Sequence, residues 1–226
     1  MILINHLSKN YGANHVLKNI NLNFLNGKVY GIVGENGAGK TTLFRCIAGL
    51  EDFQGEIISE YKLLKNYIGL LLTQPYIFKL ITGREYIRLI TSARQNKIMN
   101  IDSKNIFDLP LDHYAHTYST GMKKKLALLA ILLQDNKCYI FDEPFNGVDI
   151  ISNLIIIEII HKLKSLGKTI LISSHIFSTL KDTCDEIFIL KNSEIIKHVY
   201  KDSFDALENE MKSFSIDNKV HDFFNF

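Results

Sequence analysis

Residues 29 to 41 decide the fold, and they read Val29-Tyr30-Gly31-Ile32-Val33-Gly34-Glu35-Asn36-Gly37-Ala38-Gly39-Lys40-Thr41. Val29 to Val33 is an apolar run rich in β-forming residues, which predicts a buried strand. Gly34 to Thr41 matches the pattern G-x-x-x-x-G-K-[ST], and the residues from about Gly39 to Ala48 have a helical pattern. A strand, a glycine-rich loop and a helix in this order predict a loop that binds phosphate groups.

Three glycines suit this loop to a polyphosphate. Gly34, Gly37 and Gly39 allow the backbone to turn with positive φ and to point its N–H groups inward. These donors act together with the positive end of the following helix, so the loop favours a chain of phosphates.

The other residues of the loop have more specific expected roles. We expect Lys40 to neutralise β- and γ-phosphate oxygens and the Thr41 hydroxyl to bind Mg²⁺. Thr42 is expected to bond a neighbouring phosphate. Asn36 and Ala38 complete the set of nucleotide-binding residues that we predict in this loop.

The rest of the chain alternates strand-like and helical segments, which predicts an α/β core with parallel strands. The pattern is helical from Pro75 to Gln134, and we interpret residues of about 75 to 135 as an inserted helical subdomain. Residues 1 to 200 are predicted to form the main domain. Residues 201 to 226 form a tail, whose late phenylalanines we expect to dock on the chain's own core; these are Phe223, Phe224 and Phe226.

Two acids follow a second apolar strand, Cys138 to Phe141. In phosphate-binding α/β folds, ligands lie at the carboxyl ends of strands. We expect Asp142 to hold Mg²⁺, through water, and Glu143 to polarise the attacking water as a general base. Taken alone, Asp142-Glu143-Pro144 is more typical of an ordinary turn. Its place after a phosphate loop favours the catalytic interpretation.

A histidine follows another apolar strand, Thr169 to Ile172. From that position His175 is able to reach the γ-phosphate as a hydrogen-bond donor, although a lone histidine is more often structural. His113 and His116 are three residues apart but have no carboxylate or cysteine cluster beside them, so we expect no metal pair there.

Composition excludes several classes of protein. Hydrophobic residues make up 46% of the 226 residues, enough for a full core, and the net charge of +2 is small. The one tight basic run, Lys123-Lys124-Lys125, is expected to be a solvated helix face and not a nucleic-acid arm, so no nucleic-acid partner is expected. The three cysteines form no C-x-x-C pair, which argues against a disulfide framework or a zinc site.

No segment has the pattern of a membrane helix or a signal peptide. The first residues lack a basic region followed by a long apolar run. The longest apolar run, Leu126 to Leu133, is far shorter than the roughly 20 residues of a membrane helix. If the protein serves a membrane, we expect another chain to cross it.

The motifs occur in a fixed order: Gly34 to Thr41, Gln74, Tyr118-Ser119-Thr120-Gly121-Met122, Asp142-Glu143, Asn146-Gly147-Val148-Asp149 and His175. Over about residues 1 to 200 this order resembles an ATP-binding-cassette (ABC) ATPase. The segment Ser119 to Leu126 resembles the signature of small export-type cassettes, in which Ser-x-Gly-Met is common. The resemblance implies a phosphate-loop NTPase core with a mixed or parallel sheet, an antiparallel β subdomain and an inserted α-helical subdomain.

The resemblance also implies roles for residues outside the phosphate loop. Tyr11 stands where an aromatic ring stacks on adenine, although a turn aromatic is the alternative. Gln74 would complete the Mg²⁺ shell and sense a transmembrane partner. Ser119 and Gly121 would face the γ-phosphate of ATP held by the opposite subunit. Asp149 would communicate between the two sites of a dimer.

The signature departs from its commonest form, Leu-Ser-Gly-Gly-Gln. Tyr118 replaces the leucine, Thr120 the first glycine and Met122 the glutamine, and Thr120 restricts the backbone where glycine is free. Ser119 and Gly121 remain, so we expect a working signature.

A member of this family would bind and hydrolyse Mg-ATP as the motor of an exporter. It would work as a dimer, expected to be a homodimer, with a separate transmembrane permease at the cytoplasmic face of the membrane. One alternative is a soluble cassette ATPase that acts on a protein scaffold or a nucleic acid. Another is a degenerate cassette that binds ATP without hydrolysing it, but the presence of Gln74, Glu143 and His175 argues against it.

Overall fold

The computed structural model describes residues 1–94 and 100–209. In chain order its main elements are β1 (Ile2–Tyr11), β2 (Asn14–Phe24), β3 (Val29–Val33), α1 (Lys40–Ile47), β4 (Gln54–Ser59), β5 (Ile68–Leu71), α2 (Gly83–Ser92), α3 (Thr120–Leu132), β6 (Cys138–Asp142), α4 (Ile150–Ser165), β7 (Thr169–Ser174), α5 (Phe177–Thr183), β8 (Glu186–Lys191) and β9 (Glu194–Tyr200).

A six-stranded sheet with the order β5-β6-β7-β3-β8-β9 forms the centre of the fold. The first five strands are parallel, and β9 joins the edge antiparallel to β8. Every residue of β3, β6 and β7 is buried, because helices or a second sheet cover both faces. The predicted α/β class with a mixed, mostly parallel sheet is therefore confirmed.

A smaller antiparallel sheet with the order β2-β1-β4 is formed mainly by the N-terminal part of the chain. It confirms the predicted antiparallel β unit. The hairpin between β1 and β2 turns at Gly12, which has a φ of 59°. Near this turn the two strands pair through their backbones and also through the side chains of Asn10 and His15, whose Oδ1 and Nδ1 atoms lie 2.7 Å apart.

Two apolar clusters lie on opposite faces of the six-stranded sheet, since successive strand residues point to opposite sides. One cluster packs the antiparallel sheet and α1 against Ile32 and Ile140. The other packs α3, α4 and α5 against Phe141 and Ile172. The sheet is thus held between the two layers, and the carboxyl ends of its central strands share one edge.

The described residues between β5 and β6, 72–94 and 100–137, are largely helical or in turns, and α2 and α3 pack against each other. A reciprocal capping box starts α2: the Thr82 backbone N–H donates to Glu85 Oε2 at 2.7 Å, and the Glu85 N–H donates to Thr82 Oγ1 at 3.2 Å. Arg84 joins this helix to the following turns through ion pairs with Asp102 and Asp112. The division of the chain into a main domain, a helical subdomain and a tail stays a prediction.

The described part of the tail is residues 201–209, which form one 3₁₀ turn and then a helical segment. Phe204 packs edge to face on Phe177 of α5, with ring centroids 6.2 Å apart. The predicted docking of Phe223, Phe224 and Phe226 lies outside the described residues.

All three cysteines, Cys46, Cys138 and Cys184, are free and buried. Burial raises the pKa of Cys46 to about 11 and the pKa of Cys138 and of Cys184 to about 12. Across the described ranges, 1–94 and 100–209, no helix is both long and apolar enough to span a bilayer.

Candidate active site

The loop between β3 and α1 has a backbone that only glycine fits at two positions. Gly39 has a φ of 109°, and a Cβ there would lie 2.8 Å from the Val16 carbonyl oxygen. A Cβ at Gly34 would lie 2.5 Å from the carbonyl oxygen of Leu190. Gly39 is the N-cap of α1 and supplies no side-chain cap to that helix. The first N–H groups of α1 are thus left for a ligand, as in an anion-binding helix terminus.

Lys40 is the first residue of α1, and its side chain folds back over the loop. Its Nζ donates to the carbonyl oxygens of Gly34 at 2.7 Å and Glu35 at 3.2 Å. The same ammonium lies 3.4 Å from Glu143 Oε1. Lys40 is only 6% exposed, so a positive charge is fixed between the loop and the end of β6.

Asp142 ends β6 and is fully buried within a ring of hydroxyl donors. Oδ2 accepts hydrogen bonds from Thr41 Oγ1 at 2.6 Å and from Thr73 Oγ1 at 2.7 Å. Oδ1 accepts one from Ser173 Oγ, also at 2.6 Å. A carboxylate with hydroxyl oxygens around it is a set of hard oxygen ligands, so these residues fit a Mg²⁺ ion beside the phosphate loop.

Glu143 lies in a strained backbone conformation with a φ of 51°, although it is not glycine. Its backbone N–H donates to Ser173 Oγ at 3.0 Å, and its Oε2 lies 2.8 Å from His175 Nδ1. Oε1 is buried and has no hydrogen-bond partner among the described residues; its nearest charge is Lys40. This buried oxygen therefore has an ion pair but no hydrogen-bond donor among the described residues, which leaves it able to accept a hydrogen bond from a ligand.

A cavity of about 640 Å³ opens between the phosphate loop, the end of β5 and the end of β6. Most of the residues predicted to bind nucleotide, metal or water line it, namely Asn36, Gly37, Gly39, Lys40, Thr41, Thr42, Gln74, Asp142 and Glu143. Gly34 and Ala38 lie in the loop without lining the cavity. His175 reaches it through Glu143.

Four further predicted residues also lie outside the lining of this cavity. Tyr11 is exposed at the end of β1, with Lys9 Nζ 5.0 Å from its ring centroid. Ser119 is the N-cap of α3 and accepts from Met122 N at 3.2 Å. Gly121 lies against another loop, where a Cβ would be 2.7 Å from the Gly147 carbonyl oxygen. The fourth, Asp149, is described next.

Asp149 is the N-cap of α4. Its Oδ1 accepts from the Ser152 N–H at 2.9 Å and its Oδ2 from the Ser152 hydroxyl at 2.8 Å. Lys125 Nζ lies 3.0 Å from Oδ2. The hydrogen bonds from Ser152, and then the one from Lys125, hold the pKa of this carboxyl well below its usual range.

Sequence reasoning missed Thr73 and Ser173 as site residues. Thr73 follows β5 and Ser173 lies near the end of β7, at the same edge of the sheet as Asp142. The sequence signal that could have identified them is a hydroxyl residue at the carboxyl end of a strand. The parallel pairing of β6 with β7 places Ser173 directly beside Asp142.

The expectation that Lys123 to Lys125 form a solvated face is wrong. Lys124 is 2% exposed, and its Nζ donates to the carbonyl oxygens of Glu143 at 2.8 Å and Asn146 at 2.6 Å. Helical geometry explains the difference, because Lys124 shares a face of α3 with the buried Leu128, one turn later. Burial lowers the pKa of Lys124, and the nearby Glu143 and Asp142 carboxylates oppose that shift.

Ser173→Ala removes the donor to Asp142 Oδ1 and a hydroxyl acceptor of the Glu143 N–H. Because the lost partners are buried, we expect the free energy of unfolding to fall by ~1–3 kcal/mol in urea denaturation. Ser165→Ala, which removes an exposed hydroxyl from the end of α4, is the control and is expected to change it by less than ~0.5 kcal/mol. Equal unfolding free energies for Ser173→Ala and wild type would contradict this account of Asp142.

Comparison with known proteins gives a consistent result. A family model described as ABC transporter matches residues 17–146. The lantibiotic transport ATP-binding protein SrtF of Streptococcus pyogenes is 33% identical over 222 residues, which cover 92% of this chain and 94% of that protein. The bacitracin transport ATP-binding protein BcrA of Bacillus licheniformis is 31% identical over 226 residues, covering 92% of this chain and 71% of that protein.

Solved structures agree with these sequence relatives. The structure of an ATP binding subunit of an ABC transporter superimposes with a TM-score of 0.79 at 26% identity, covering 96% of this chain and 95% of that one. The cassette MJ0796, in a dimeric post-hydrolysis state bound to ADP and Pi, shares the fold with a TM-score of 0.78 at 21% identity, covering 89% of this chain and 99% of that one. The chain therefore belongs to the ABC transporter family, as an ATP-binding subunit with the family's cassette fold.

Proposed function

We propose that this protein is the Mg-dependent ATPase of an ABC exporter and that it hydrolyses ATP in the cavity beside the phosphate loop. The observation that carries the proposal is the meeting of Lys40, Thr41, Asp142 and Glu143 around one cavity. The named relatives are transport proteins, so the alternative of a soluble cassette ATPase gains no support from them.

The phosphate chain would lie along the N–H groups of residues 34–42. Lys40 carries the charge that the β- and γ-phosphates need, and charged phosphate oxygens would accept from its ammonium more strongly than its two neutral carbonyl partners do. Thr41 and Asp142 would hold Mg²⁺, with Gln74 on the same cavity wall. When bound, Mg²⁺ neutralises phosphate oxygens and orients them for transfer.

Glu143 would act on the attacking water through Oε1, which is ion-paired with Lys40 but accepts no hydrogen bond from the described residues. The water oxygen attacks the γ-phosphorus, its proton passes to Glu143, and the bond to the bridging oxygen breaks to give ADP and inorganic phosphate. His175 holds the other carboxylate oxygen and thereby orients Glu143. Little covalent chemistry is required of the protein, because positioning and charge stabilisation carry most of the acceleration.

Glu143→Gln tests this mechanism because the amide keeps the shape of the side chain but accepts no proton. We expect ATP binding to stay within about threefold of wild type while kcat falls by about 10²–10⁴-fold in a steady-state phosphate-release assay. Glu158→Gln, which alters an exposed acid on α4, is the matched control and should leave kcat unchanged. A Glu143→Gln protein that turns over at the wild-type rate would remove Glu143 as the base.

We propose further that two copies of the chain close over ATP, and that each contributes Ser119 and Gly121 to the other's site. Two features support this: neither residue lines the cavity of its own chain, and Ser119 is exposed at the N-terminus of α3, where N–H groups favour an anion. A structure that shares the fold is described as a dimer bound to ADP and Pi.

Ser119→Asp tests the placement of the second copy. Aspartate still caps α3, but it sets a negative charge against the γ-phosphate of the partner's ATP. In the Glu143→Gln background we expect ATP to drive association from one chain to two in analytical ultracentrifugation, and Ser119→Asp to abolish it. Ser119→Asn is the control, because asparagine is a helix cap of the same size as aspartate but is neutral, and this variant should still associate. If Ser119→Asp dimerises normally, Ser119 does not face the second nucleotide.

The transmembrane permease would dock on an exposed apolar surface that follows Gln74. Tyr76 is 73% and Leu80 84% exposed, and Phe78 packs edge to face on Tyr76 with centroids 5.0 Å apart. Exposed aromatic and aliphatic side chains grouped in this way are typical of an interaction site. Because this surface adjoins the cavity through Gln74, we propose that the protein works at the cytoplasmic face of the membrane, bound to the permease.

Leu80→Asp should separate docking from catalysis. We expect it to abolish co-purification with a polytopic membrane protein encoded beside this gene, while the ATPase rate of the isolated protein stays within about twofold of wild type. Ile196→Asp places the same charge on an exposed apolar residue of β9 and should leave co-purification unchanged. Retention of the membrane protein by Leu80→Asp would move the docking surface elsewhere.

A further inference from the structure

Lys124 is a buried cation that the proposed hydrolysis does not use. It lies in the second turn of α3, five residues after the N-cap Ser119. Its ammonium donates to two carbonyl oxygens at opposite ends of one short turn, those of Glu143 and Asn146. The Asn146 N–H also donates to the Glu143 carbonyl oxygen at 3.2 Å, so the turn itself is closed.

Lys124 contacts the strained backbone at Glu143. A non-glycine residue at a φ of 51° is in an unfavourable left-handed conformation, which persists only where its surroundings hold it. The amide of Glu143 is held by Ser173, and its carbonyl is held by Lys124. The general base is therefore fixed from both sides, from β7 through its N–H and from α3 through its C=O.

Two further contacts connect the start of α3 to the segment after Glu143. Gly121 allows α3 to approach the Gly147 carbonyl oxygen so closely that any Cβ would clash at 2.7 Å. Lys125 pairs with Asp149 at 3.0 Å. The start of α3 and residues 143–149 thus touch at successive points.

We propose that Lys124 is a positioning residue, which holds Glu143 at the angle required for water activation and couples it to the start of α3. The inference rests on the proposed function, in which Glu143 is the base and α3 faces the ATP of a second copy. The start of α3 contacts the ATP bound by the partner, and Glu143 activates water for the ATP bound by its own chain. Lys124 links these two parts of the chain. Loss of the ammonium removes a donor from both carbonyl oxygens, leaves the buried Glu143 carbonyl with the Asn146 N–H alone and frees the strained turn to relax.

The experiment compares Lys124→Met with Lys123→Met, a matched loss of charge one residue earlier on α3. Within residues 1–94 and 100–209 the Lys123 side chain makes no hydrogen bond or ion pair, and only its backbone N–H donates, to the Ser119 carbonyl oxygen at 2.9 Å. For Lys124→Met we expect kcat to fall by about tenfold or more while KM for ATP changes by less than about threefold, because binding groups are untouched. Lys123→Met should keep both constants within about twofold of wild type.

The second arm repeats the substitution in the Glu143→Gln background and measures single-turnover hydrolysis of radiolabelled ATP. If Lys124 acts through Glu143, Lys124→Met lowers the residual rate by less than about twofold there, since the base is already gone. An equal loss in both backgrounds means a general structural role and overturns the proposal. A wild-type kcat in Lys124→Met, or a loss that appears only as a raised KM, also overturns it.

Folding is followed by thermal unfolding and by binding of a fluorescent ATP analogue. Should Lys124→Met fail to fold, Lys124→Gln takes its place, since its amide carries no charge and ends one bond short of the position of Nζ, and the same two-background comparison decides. The two proposals fail differently. A wild-type rate in Glu143→Gln overturns the base itself, whereas an inactive Glu143→Gln with an unimpaired Lys124→Met overturns only the role of Lys124.

Discussion

Two adjacent carboxylates, those of Asp142 and Glu143, are buried at the end of β6, and the groups around them compensate the cost of their desolvation. An isolated buried carboxylate is unstable by many kcal/mol unless donors or cations surround it. Asp142 receives three hydroxyl donors from α1, from the end of β5 and from β7. Glu143 receives His175 and the nearby Lys40. The order of the central strands can be understood as the arrangement that delivers these groups to one edge.

Much of this arrangement could be predicted from sequence because its signals are local. The apolar strand, the glycines and the lysine of the phosphate loop lie within thirteen consecutive residues. The pair Asp142-Glu143 follows its own apolar strand directly. Each signal needs only the periodicity of one element and the known chemistry of the residues that end it.

The parts that sequence reasoning missed depend on contacts between distant elements. Ser173 becomes a partner of Asp142 only through the register of β6 against β7, and a hydroxyl at the end of a strand does not by itself identify that partner. Lys124 is one of three consecutive lysines and the sequence does not distinguish it from the other two. It is buried because its position on α3 places it on the face that packs against the core.

The deep burial of all three thiols has a practical outcome for solution work. A thiolate is the reactive form of cysteine, and the raised pKa values of Cys46, Cys138 and Cys184 leave almost none of it at neutral pH. Maleimide dyes should therefore not label the cysteines of the native protein. A single cysteine introduced on the surface becomes a selective attachment point for fluorophores or spin labels, with no need to build a cysteine-free background first.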